Sequence, residues 1–194
     1  MALPTQAQEV LDFWFGAPGS AEFGGSRDCW FRKDAAFDRE VTLRFSDLHA
    51  RAARGELAAW EAAPESLLAL IVVLDQFPRN IYRGLLESFA TDARALAASR
   101  TMLESAWDLR LPSAQRWFAY MPFEHSESLA DQELCLRLMR QVAEDPRFSD
   151  VPRWALAHHA IIARFGRFPH RNAILGREST AEELDFLKQP GSAF

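Results

Sequence analysis

Cysteine is nearly missing from this chain of 194 residues: there are 2, Cys29 and Cys135. Two thiols cannot build a disulfide framework or a four-thiolate metal site, and a reduced, cytoplasmic setting is the expectation. Lysine is equally scarce, at Lys33 and Lys188, against 20 arginines. With 31 alanines beside them, the arginines fit a GC-rich coding bias, so each one carries less functional weight than usual. Long apolar runs are absent too. The longest, Leu67 to Leu74, has eight residues, too few to span a bilayer. The start, Met-Ala-Leu-Pro-Thr-Gln, has no basic segment leading into an apolar one, so no signal peptide is expected. An excess of positive charge is lacking as well. The net charge is −5, which argues against a nucleic-acid partner.

What is present is core material: 48% hydrophobic residues, 12% of all residues aromatic. The hydrophobic period is helical almost throughout. Thr5 with Gln8 reads as a capping box ahead of Val10, Leu11, Trp14 and Phe15. Four of the nine glycines fall in residues 16 to 26, a flexible connector with no Gly-Lys-Ser/Thr to make it a phosphate loop. A helix is predicted from about Asp34 to Arg54, stopped by Gly55. Pro64 opens a helix carrying Leu67 to Leu74, apolar all round and therefore central. Further helices are predicted from Thr91 or Asp92 to Glu104, from Ser113 to Tyr120 before Pro122, and from Ser128 to Glu144. The last two run from Val151 to Gly166, and across Leu184 to Leu187 behind a Ser179–Glu182 capping box. No strand pattern appears. The expectation is one all-α domain of about eight helices, residues 1–194, built as a stack of helix pairs or an irregular bundle.

Three segments collect polar residues against this pattern. The first runs Asp75-Gln76-Phe77-Pro78-Arg79-Asn80-Ile81-Tyr82-Arg83-Gly84. Arg79 and Arg83 either cap the free carbonyls of the apolar helix or bind a carboxylate or phosphate. The second runs Tyr120-Met121-Pro122-Phe123-Glu124-His125-Ser126-Glu127. If it is helical, Glu124 and Glu127 share a face beside His125, a set able to do acid–base work or to pair with arginines. No helical metal-ligand spacing is present, and no bound metal or cofactor is expected. The third runs Arg164-Phe165-Gly166-Arg167-Phe168-Pro169-His170-Arg171-Asn172. It reads as an anion site, a local nucleic-acid contact or a brace for Asp75, Glu124 and Glu127. His158 is placed on the inward face of the same helix. The first and third segments both contain Phe-Pro, then Arg-Asn, then a later glycine, and both follow an apolar helix.

These segments, with Trp30-Phe31-Arg32-Lys33-Asp34, Phe89-Ala90-Thr91-Asp92 and Ile174-Leu175-Gly176-Arg177-Glu178-Ser179-Thr180, closely resemble the bacterial domain-of-unknown-function family 924. The likeness runs from about Val10 to Leu187. One departure is Leu85-Leu86-Glu87, which touches only a local turn. The resemblance implies an all-α fold of the tetratricopeptide-like superfamily and no established reaction. It marks Asp75, Arg79, Asn80 and Arg83, then Glu124, His125 and Glu127, then Arg164, Arg167, His170, Arg171 and Asn172.

Three functions compete. The first is a small-molecule site, with arginines holding a carboxylate or phosphate, His125 as acid or base, and Glu124 or Glu127 orienting it. No nucleophile stands out. The second is a binding module gripping an acidic peptide on a concave helical surface. The third is a satisfied interior network of ions. Asp75, Glu124 and Glu127 can neutralise only three of Arg79, Arg83, Arg164, Arg167 and Arg171, which leaves an excess of +2 if all eight groups meet. Such an excess would demand an anion or solvent beside at least one guanidinium. The oligomeric state is left open by the sequence.

Overall fold

The computed structural model describes residues 2–192, with nine α-helices, several 3-10 turns and no strand among them. The folded surface is 9729 Å², close to the roughly 9,300 Å² that size scaling gives for this mass. α1 (Thr5–Phe15) starts at Pro4 without a side-chain cap, so the Thr5–Gln8 box does not form. α2 (Ala35–Ala53) starts at Asp34, whose carboxylate accepts from the amides of Ala36 and Phe37. α3 (Pro64–Asp75) is the axle: Leu67 to Asp75 are all buried. It turns directly into the short α4 (Phe77–Ile81), so Phe77-Pro78 starts a new helix where the sequence pattern predicts only an end. Proline suits the first turn of a helix because that turn needs no amide donor.

α5 (Asp92–Glu104) and α6 (Ser113–Glu124) pack on α3, and α7 (Leu129–Val142) and α8 (Val151–Phe165) form the next hairpin. α6 runs through Pro122 to Glu124, four residues beyond the predicted end. Only the Phe118 carbonyl loses a partner there, and burial of Phe118, Met121 and Phe123 holds the extra turn in place. This extension carries Glu124 and His125 to the inside of the molecule. α9 (Ala181–Leu187) is capped by Thr180 with Glu183, one residue later than expected, in a complete capping box.

One hydrophobic cluster joins α1 to the start of α8, with Trp14, Phe15, Trp30, Phe45, Phe77 and Phe118 interlocked ring to ring. A second, small cluster of Ile161, Ile162 and Phe168, flanked by Phe165 and Phe186, holds the end of α8 to the C-terminal segment.

Candidate functional site

The charged segments converge where four helix ends meet. Asp75 closes α3, Asp92 opens α5, Glu124 closes α6 with His125 as its cap, and Arg171 sits on the 3-10 turn Pro169–Arg171 after α8. Asp75 is completely buried. His125 Nδ1 lies 2.8 Å from its Oδ1, and the Gln76 amide donates to its Oδ2 at 2.6 Å. Arg79 approaches the same carboxylate at 3.5 Å and donates to the Asp75 carbonyl. Burial works against this charge, but Arg79 and the two hydrogen bonds outweigh it, and the carboxyl stays ionised with a pKa of about 2.

His125 is shifted the other way. Burial and the neighbouring Arg79 cation lower its pKa, so the ring is neutral near pH 7. An ionised Asp75 can only accept, so Nδ1 carries the proton and Nε2 keeps its lone pair. Nε2 has no hydrogen-bond partner among the described residues. Asp75 thus fixes the tautomer and aim of a histidine whose basic nitrogen is unused by the fold.

Arg171 is the cluster's least satisfied cation. Its guanidinium packs against the rings of Phe89 and Phe168, at 4.8 and 4.4 Å from their centres. It donates to the His125 carbonyl at 3.1 Å and reaches Asp92 at 3.5 Å. Arg79 holds Asp92 more tightly, through two bonds of 3.0 and 3.2 Å. The Arg171 Nε is buried with no partner. Burial and the Arg79 cation lower its pKa to about 10.

Glu124 and His158 form a separate neutral pair. Burial, reinforced by Asp75, raises the Glu124 pKa to about 8, while burial lowers that of His158 to about 3. The 3.2 Å contact between them is therefore an approach of uncharged groups, not an ion pair. His158 Nδ1 donates to the Trp154 carbonyl at 2.9 Å. The other Glu124 oxygen, Oε2, is buried without a partner. His170, beside the Phe168 ring, is likewise kept neutral by burial and by Arg171, with a pKa of about 4.

The other expected site residues go elsewhere. Because α6 ends at Glu124, Glu127 does not share a helical face with it. Glu127 accepts two bonds from Arg177, at 2.7 and 2.9 Å, and one from the Phe168 amide at 2.8 Å. Arg83 and Asn80 both bind Asp38 on α2. Arg164 pairs with Glu182, and Arg167 with Glu183. Asn172 is buried and bridges Ser179 and Arg177. The expected +2 excess therefore dissolves. Of the three counted acids, Glu124 is uncharged and Glu127 is held by Arg177. Asp38, Asp92, Glu182 and Glu183 join Asp75 in balancing the five arginines, and nothing in the local pattern places them there. Asp92 and Arg177 did lie in matched motifs; Asp38 carried no signal. Among the described residues, no group of three His, Cys, Asp or Glu side chains is placed to hold a metal ion.

A family model described as "Bacterial protein of unknown function (DUF924)" matches residues 10–191. The chain belongs to this family. A solved structure, the protein of unknown function ATU0120 from Agrobacterium tumefaciens, is similar over 94% of this chain and 97% of that one. The identity is 40% and the TM-score 0.83. No curated protein matches. The family and the solved relative support the all-α fold and bring no reaction with them. No helix among the described residues is long and apolar enough to cross a membrane.

Proposed function

We propose that the inner cluster is an acid–base site for a small anionic ligand, a carboxylate or phosphate, in a reduced, cytoplasmic setting. The observation that carries it is the juxtaposition of two unused groups. His125 is oriented by Asp75 with a basic Nε2 to spare, and its backbone carbonyl touches Arg171, whose Nε is unpaired. A histidine kept neutral and hydrogen-bonded to a carboxylate is prepared to accept a proton, with the imidazolium then stabilised by Asp75. The rings of Phe89 and Phe168 pack against the Arg171 guanidinium and leave its Nε–H for an anion. The interior position favours a small molecule over an acidic peptide, which needs an open groove.

A second reading is supported by the same ion pairs. Arg79, Arg83, Arg164 and Arg167 each hold a carboxylate of the protein. That is the pattern of a network of internally satisfied ion pairs, partly buried and partly on the surface, serving stability alone. Thermal unfolding with inorganic phosphate or small carboxylates separates the two. A bound anion raises the midpoint by mass action. The rise should be present in the wild type and in Arg83→Met, and lost in Arg171→Met and Arg171→Lys. If no anion protects the wild type, and mass spectrometry of natively purified protein finds no co-purifying small molecule, the network reading replaces the ligand reading.

A further inference from the structure

We infer that residues 166–180 form a lid over His125, latched by Glu127 and Arg177. The segment opens on one glycine conformation that side chains resist and contains a second. Gly166 ends α8 with φ 68°, and Gly176 turns the chain back with φ 65°. Between them the chain lays Phe168 against the His158 ring, at 5.7 Å, and Arg171 against the His125 carbonyl. The side chain of His125 is left only 13% exposed, so a ligand reaches Nε2 when the cover lifts. This deepens the ligand reading and rests on it for its purpose, whereas the motion is a property of the protein alone.

The way the segment is attached suits opening. Its apolar anchor is the small cluster of Ile161, Ile162 and Phe168, outside the main core that spans α1 to α8. Its attachment to the loop after α6 and to α5 is polar. Glu127 takes two bonds from Arg177 and one from the Phe168 amide, Arg177 also donates to the Phe168 carbonyl, and Arg171 makes one long contact to Asp92. The Glu127 and Arg177 side chains are 29% and 25% exposed, so water can replace these bonds when they part. Lifting the segment gives up little apolar burial from the main core, the condition for local opening below the cost of global unfolding. Arg171 travels with the segment. An anion held by Arg171 above His125 would therefore draw the lid down.

Amide hydrogen exchange on the full chain tests the motion. In the wild type, amides of 168–177 should exchange well before those of α3 and α6. In Arg177→Met they should exchange about tenfold faster, the loss of a charged bidentate bond, with α3 and α6 unchanged. Modification of His125 by diethyl pyrocarbonate should accelerate in parallel. Glu127→Gln weakens the same latch and stands in if Arg177→Met does not fold. Exchange of 168–177 only together with α3, or latch variants with unaltered exchange and His125 reactivity, overturns the lid. Inorganic phosphate adds a separate arm. Slower exchange at 168–177 in its presence supports capture by Arg171, while a lid that opens but ignores phosphate and carboxylates removes the ligand reading and leaves the lid.

Discussion

The inner and outer arginines of the polar motifs are drawn from the same short segments and both face carboxylates, yet they are physically different. Arg164 pairs with Glu182 at 2.8 Å on the surface, the two side chains 48% and 65% exposed. Arg171, seven residues on, is buried and reaches its carboxylate at 3.5 Å. In water such a pair is screened and adds little. In the interior the same charges shift the protonation of everything near them: Asp75 stays charged, Glu124 is protonated, and His125 and His158 are neutral. Membership of a motif does not decide membership of a site; the local dielectric does.

The largest expected effect breaks the inner cluster at its centre. Asp75→Ala removes the carboxylate that accepts from the Gln76 amide and His125 Nδ1, and one anion beside Arg79. Leaving a buried charge network short of a partner should cost about 3–5 kcal/mol, read from urea unfolding. A loss comparable with that of a surface pair would erase the difference between the two regions.

A smaller effect sharpens it through pH. The Glu124 carboxyl is raised from its usual 4.5 to about 8 in the fold. A raised pKa means that the folded state binds the proton more tightly than the unfolded chain. The stability this supplies is complete below about pH 4.5 and is lost as pH rises towards 8. Glu124→Gln has no proton to lose, so the melting temperature of the variant should gain on the wild type steadily from pH 5 to pH 8. A constant difference across that range would mean that Glu124 is ionised throughout. The buried histidines act in the opposite sense: His158, lowered to about 3, contributes stability above its ordinary pKa that is lost on acidification. They are common to both proteins and cancel in the comparison.

The smallest effect lies outside. Arg164→Met should change stability by no more than about 1 kcal/mol, because its pair with Glu182 is solvent-exposed. A loss as large as that of Asp75→Ala would place Arg164 in the inner network.

Much of the helical architecture is legible in the chain because its causes are local. Pro64, Asp34, Gly55 and Gly166 punctuate helices through backbone chemistry that the neighbouring residues alone determine. The errors are local rules overruled by packing. Pro122 does not end α6, because the buried aromatics around it fix the following turn. The cap of α9 moves from Ser179 to Thr180, where the side chain meets the amide of Glu183.

The sequence by itself determined that this chain is all helical, that Leu67 to Leu74 lie at its centre, and that its unusual polar residues fall in three segments. Periodicity and composition suffice for that, since each depends on neighbours within a few turns. Only the tertiary structure decided which of those residues meet. Asp75 and His125 are 50 positions apart, and Arg171 and Asp92 are 79 apart. Nothing local selects Asp38 for Arg83, Arg177 for Glu127, or His125 for Asp75. Their pKa values follow from burial and from charges delivered by other helices, and both exist only once the chain has folded.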